Sequence, residues 1–174
     1  MDVFEAIAKR HSYRGPFQPA PVPRADLTRI VQAGIQAPSG CNAQSTTFVI
    51  VDEQPLLQQI GEIVDKPFVR DARALILCIA DPTPVFKDVS FEKEDCAAAV
   101  ENMLLAVTAL GYATVWIDGY LRTEGRAAAI GQLVGVSEGR RVQVLLPVGR
   151  PAETHHQKEK KPFAERAWFD RYGR

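Results

Sequence analysis

A chain of 174 residues that is 46% hydrophobic, 24% charged and formally neutral, with 21 basic against 21 acidic residues, has the composition of a globular unit with a sizeable core. That balance excludes a polyelectrolyte binder. General attraction to nucleic acid or to an anionic membrane surface is not expected, so any anion affinity must be local.

The first helical pattern places Val3, Phe4, Ile7 and Ala8 on one face and runs into Arg10-His11-Ser12-Tyr13-Arg14, halted by Gly15 and Pro16. After Pro23 a second helix carries Leu27, Ile30, Val31, Gly34 and Ile35 on its face. Thr46 to Val51 is a β-branched run of strand length, Leu56 to Val64 reads helical, and Ala74 to Ala80 is a second strand ended by Asp81-Pro82. Both strands read as covered on two faces, with Cys78 in the core. The longest helical pattern, Glu92 to Leu110, is apolar nearly all round, which predicts burial on a second side by a partner subunit. Gly111 stops it. A strand at Ala113 to Ile117, a short helix at Arg126 to Val134 and a last strand at Val142 to Val148 follow.

The tail from Arg150 to Arg174 is charged yet carries Phe163, Trp168, Phe169 and Tyr172. Aromatics of that size are expected to lie on something, and wrapping a second subunit is one way to do so. No repeat or linker divides the chain, so a single domain over 1–174 is expected. No stretch approaches the length of a transmembrane helix, and the opening MDVFEAIAKRHS does not read as a secretion signal. Cys41, Cys78 and Cys96 are odd in number and lack a CxxC spacing, which fits a reducing, cytoplasmic setting and offers no metal ligands.

Four segments carry chemistry. Arg10 to Arg14 gathers two guanidiniums, an imidazole and a hydroxyl, and the planar fork of Arg suits a phosphate. Ala37-Pro38-Ser39-Gly40-Cys41-Asn42-Ala43-Gln44-Ser45 is rich in amides and hydroxyls, which offer donor and acceptor together to the edge of a flat heterocycle. Trp116-Ile117-Asp118-Gly119-Tyr120 stands at a strand exit, where α/β sheets commonly hold ligands. Lys158-Glu159-Lys160-Lys161 is a basic tract before Pro162.

Taken together and in order, RHSYRGPF at 10–17, APSGCNAQ at 37–44, LGYATVWIDGY at 110–120, LLPVGRPAE at 145–153 and KEKKPFAER at 158–166 resemble the nitroreductase family of FMN-dependent flavoproteins. The resemblance covers almost the whole chain. It implies an α+β fold with a central mixed β-sheet flanked by helices, built as an intertwined homodimer with FMN at the interface. By match of motif, Arg10, His11 and Ser12 would hold the phosphate and ribityl end with Lys158 and Lys160, and Arg14 would approach the pyrimidine side of the ring. A fixed cation there favours the negative charge that two-electron reduction brings. Pro38, Ser39, Gly40 and Asn42 would come from the other subunit, Gln44 would meet the ring, and Trp116, Ile117, Asp118 and Gly119 would line its N5 side.

The implied activity is ping-pong, two-electron reduction of a small acceptor such as a nitroaromatic or quinone by NAD(P)H, with no catalytic side chain and no metal. Dehalogenating or flavin-cleaving relatives, or FMN binding without turnover, are the alternatives. Departures from the family pattern are Ser45-Thr46 where a Pro and an aromatic are usual, Lys160 where Arg is frequent, and a short segment from Thr83 to Glu94. Lys66 and Arg70 both stand near the basic position that some members carry before the second strand, and the sequence does not choose between them.

Overall fold

The computed structural model describes residues 1–173. In chain order its helices are α1 (Val3–Lys9), α2 (Arg24–Ile35), α3 (Gln54–Val64), α4 (Pro67–Arg70), α5 (Glu92–Ala109) and α6 (Arg126–Leu133), and its strands are β1 (Thr46–Val51), β2 (Ala74–Ala80) and β3 (Arg141–Val148). The strand order is β1-β2-β3. β2 is buried at every position, and because successive side chains of a strand point to opposite faces it feeds two cores. Leu75, Leu77 and Ile79 pack with Leu57, Ile60 and Val64 of α3 and Ile130 of α6. Ala74, Ile76 and Cys78 pack with Leu27 and Ile30 of α2 and Val100 and Met103 of α5. Each such side chain, fully buried, stabilises the fold by about 1.5–3 kcal/mol.

The helices on the second face approach closely. A Cβ at Gly34 of α2 would stand 2.9 Å from Cγ of Met103 on α5, so a larger residue would push the pair apart. α1 is capped by Asp2, whose Oδ1 accepts the Glu5 N–H at 2.9 Å, but it buries only Ala6. Val3, Phe4 and Ile7 are 57%, 80% and 48% exposed, so the apolar face predicted from periodicity is formed and left uncovered within one chain.

Three expectations change. The sheet is antiparallel in both pairings rather than mixed, because each connection returns to the end of the sheet it left: Val51 pairs with Leu75, and Ala80 with Arg141. β1 is not covered on both faces; as the edge strand it leaves Thr47 and Ile50 exposed. Residues 113–117 form two isolated bridges, Ala113 to Gly149 and Ile117 to Leu145, instead of a ladder strand. Between them the Thr114 carbonyl turns to the other side and accepts the Tyr13 N–H at 2.9 Å. This segment is thereby shared between β3 and the arginine-rich stretch. On α5 the predicted broad face is buried, from Cys96 through Val100 and Met103 to Val107, while Ala97, Ala98 and Ala106 are half-buried and Ala109 is exposed.

Candidate active site

α1 ends where Arg10 leaves helical geometry (φ −60°, ψ 128°), so residues 10 to 14 continue as an extended segment. Tyr13, with no exposure, anchors it. Its hydroxyl donates to the Pro16 carbonyl at 2.5 Å and accepts the Ala152 N–H at 3.2 Å, tying the start of the tail to the start of the chain. Gly15 is needed at this crossing, since a Cβ there would lie 2.9 Å from the Tyr13 hydroxyl and 3.2 Å from Nε2 of His155. Further along, Nε2 of Gln157 donates to the carbonyls of Arg10 at 2.6 Å and Ile7 at 3.2 Å.

These fastenings gather residues almost 150 positions apart into one open cleft of about 530 Å³. Arg10, His11, Ser12 and Arg14 from the first stretch face Lys158 and Lys160 from the tail. Among the described residues neither lysine nor Arg14 has an ion-pair partner within 4.0 Å. Arg10 stands with Nε 3.6 Å from Oε1 of Glu101, beyond hydrogen-bonding distance, and that Nε is buried without a partner. A buried guanidinium N–H without a hydrogen bond is costly, and an acceptor placed in the cleft could satisfy it. His11 bonds the Lys9 carbonyl through Nδ1 at 2.9 Å, so Nδ1 carries the proton and Nε2 is left to the cleft. His155 and His156, which sequence reading passed over, line the same cleft.

Arg14 is also part of a second wall. With Lys66, Phe68 and Trp116 to Tyr120 it lines an adjoining pocket of about 220 Å³ with an apolar floor. Ile117 is held to β3 by bonds in both directions with Leu145, at 3.1 and 2.9 Å. Asp118 is clasped by Arg122 at 2.7 and 2.6 Å, and beside Gly119 a Cβ would meet nothing within 4 Å. Lys66 and Arg70 are separated by position. Lys66 lies in this pocket with Nζ 4.3 Å from the centre of the Tyr120 ring, whereas Arg70 is paired with Asp65 at 2.6 Å and faces a different cleft. Arg126 covers the same Tyr120 ring at 3.8 Å.

Pro38, Ser39, Gly40, Asn42 and Gln44 are not brought to either cleft within one chain. Pro38, Ser39 and Gln44 line a separate small pocket against Phe48, Asp95 and Ala99, with no wall residue in common. The loop is unusual in its backbone: Cys41, Asn42 and Gln44 have φ of 53°, 54° and 51°, left-handed geometry that a non-glycine residue adopts at a cost.

With this geometry in place, comparison with known proteins is decisive. The nitroreductase family profile matches residues 7–81 and 64–150. The chain belongs to the nitroreductase family. An Archaeoglobus fulgidus relative whose name places it with the NADH dehydrogenase/NAD(P)H nitroreductases is 33% identical over 141 residues, spanning 80% of this chain and 77% of its own. An iodotyrosine deiodinase of Thermotoga neapolitana is 26% identical, spanning 87% and 90%. The solved nitroreductase of Bacteroides fragilis with bound FMN is 28% identical and superposes with a TM-score of 0.78 over 97% of this chain and 98% of its own. The sequence motifs thus identified the family, and the α+β class holds in this family member.

Proposed function

We propose that the chain is an FMN-dependent oxidoreductase that passes two electrons from NAD(P)H to a small acceptor of the nitroaromatic or quinone type. The observation that carries this reading is Arg14, which lines at once a cationic cleft and a smaller pocket walled by Phe68, Val115, Trp116 and Ile117. A ligand with a phosphate at one end and a planar ring at the other matches that pair. The residues fit FMN: the cations Arg10, Arg14, Lys158 and Lys160 line the first cleft with one carboxylate, Glu153, while Glu101 stands 3.6 Å from Arg10, and the buried Nε of Arg10 has no hydrogen-bond partner of its own.

Arg10, Ser12, Lys158 and Lys160 would bind the phosphate, with His11 beside them. Arg14 and Lys66 would stand by the ring, where fixed positive charge favours its reduced form. Trp116, Ile117, Asp118 and Gly119 would border the ring through a backbone that β3 keeps rigid. Pro38, Ser39, Gly40, Asn42 and Gln44 would reach the ligand from a second subunit of a homodimer. Support for that assembly comes from the uncovered Val3 and Phe4 of α1 and from Phe163, Phe169 and Tyr172, which are 65%, 81% and 89% exposed, apolar surface that a partner subunit would cover. FMN, when bound, supplies the acceptance and donation of hydride, so no side chain of this protein need act as acid or base. The three free cysteines and the absence, among the described residues, of a helix long and apolar enough to cross a membrane fit work in the cytoplasm.

The test is an anaerobic absorbance titration of the purified protein with NADPH and then NADH, followed by a nitroaromatic or a quinone. Bleaching of the bound flavin and return of colour with acceptor is the expected result; a protein that takes up no flavin, or a yellow one that neither nicotinamide bleaches, overturns the reading. The deiodinase relative supports a second reading, reductive dehalogenation, for which the acceptor arm includes an iodinated tyrosine.

A further inference from the structure

The left-handed loop raises a question of its own: what holds three non-glycine residues out of four in a costly backbone geometry on an exposed turn. Its internal bonds are few. Ser39 accepts the Asn42 N–H at 3.0 Å through its carbonyl and the Gln44 N–H at 3.0 Å through Oγ, and the Gly40 carbonyl accepts the Ala43 N–H at 2.9 Å. The external hold comes from the first turn of α5. Asp95, only 5% exposed, accepts the Gly40 N–H on Oδ1 at 2.8 Å and the Ser45 hydroxyl on Oδ2 at 2.6 Å. One carboxylate therefore grips both ends of the turn. Gly40 is pressed so closely on the Phe91 ring that a Cβ would come within 2.3 Å of it, so the loop has little freedom to slide. On its far side the Ser45 carbonyl accepts the Asp81 N–H at 3.0 Å, fixing the turn to the end of β2.

We infer that Asp95 is a positioning residue for the flavin site: by gripping Gly40 and Ser45 it holds the Pro38–Gln44 loop in the one shape that presents its amides and hydroxyls to the FMN of the partner subunit. This rests on the proposed FMN function and adds a residue to it that touches no ligand. A largely buried carboxylate whose two oxygens take two donors from one loop is a stiff clamp, because hydrogen bonds to a charged acceptor are the stronger kind. The same helix supplies a control. Glu92, one turn earlier and 7% exposed, spends its carboxylate on the Ser90 hydroxyl and Arg141 and does not touch the loop.

The experiment compares the full-length wild type with Asp95→Ala, Asp95→Asn and Glu92→Gln by FMN fluorescence titration, by the visible circular dichroism of the bound flavin, and by amide hydrogen exchange at Gly40, Asn42, Ala43 and Gln44. Asp95→Ala is expected to weaken FMN binding by about tenfold or more, and Asp95→Asn, which keeps one acceptor, by less. In both, the loop amides exchange faster and the flavin dichroism changes, while Glu92→Gln loses stability and keeps wild-type affinity and dichroism. An Asp95→Asn protein that is folded and binds FMN as the wild type does, with an equally protected loop, overturns the inference, as does an equal loss of affinity in Glu92→Gln. A wild type that binds no FMN would instead sink the proposed function, and loop exchange in Asp95→Asn equal to wild type would then sink the clamp separately.

Discussion

Gln157 donates through Nε2 to the carbonyl of Arg10 at 2.6 Å, so the tail that carries Lys158 and Lys160 is fastened to the residue whose guanidinium faces them. Two cationic segments that repel each other are thus held together by a neutral amide bonding to backbone. Gln157→Leu keeps the volume and removes both donors. We expect FMN affinity to fall about threefold to tenfold, the scale of an ordinary hydrogen bond, with a small loss in melting temperature. Fluorescence titration checks it; an unchanged affinity would show that the lysines hold their places without the latch.

Arg10→Ala removes the buried Nε and its charge from the phosphate cleft. Binding of FMN should weaken by about 1.5–3 kcal/mol, and Arg10→Lys should recover only part of it because the planar fork is lost. Retention of flavin by Arg10→Ala through long dialysis counts against the assignment.

Arg14→Ala and Lys66→Ala, by contrast, should act on the flavin's reduction potential. Loss of a fixed cation beside the ring disfavours the reduced, more negative form, so the potential should fall in each variant. Spectroelectrochemistry reads this directly. A potential equal to wild type in both would place neither residue at the ring.

At Gly149, which pairs with Ala113, a Cβ would stand 2.7 Å from the Phe17 ring. Gly149→Ala should cost about 1–3 kcal/mol of stability through overpacking, visible as a lower thermal midpoint. A midpoint equal to wild type would mean that Phe17 can yield.

Glu92 provides a pH prediction. The Ser90 hydroxyl and then Arg141 hold its carboxyl below its ordinary value of 4.5, against the opposing effect of burial. A depressed folded-state value means that the native state binds fewer protons than the unfolded chain, so its contribution is complete above about 4.5 and is lost as pH falls through the lower value. Glu92→Gln should therefore be less stable than wild type at neutral pH and converge with it in acid. Parallel denaturant curves at pH 7 and pH 3 are the check, and a gap that persists undiminished in acid rejects the account.

Much of this protein could be read from residue order. The strands at 46–51 and 74–80 and the long helix at 92–109 fall where hydrophobic period and breakers put them, because those signals are local and each element buries its own apolar face. The motif series was enough to identify the family, and the Arg10 to Arg14 cluster, the Trp116 to Gly119 exit and the Lys158 to Lys160 tract could each be named as candidate ligand contacts. What only the tertiary structure decided are matters of pairing. The segment at 113–117 has strand composition, yet its carbonyl at Thr114 goes to Tyr13, since a backbone group bonds to whatever neighbour the fold supplies. The placing of Lys66, and not Arg70, in the pocket with Arg14, the latch of Gln157 on Arg10 and the grip of Asp95 on Gly40 and Ser45 likewise join residues distant in the chain or separated by direction alone. Periodicity reports which side of an element is apolar; it carries no information on which distant partner a polar group will meet, because that is set by the packing of whole elements.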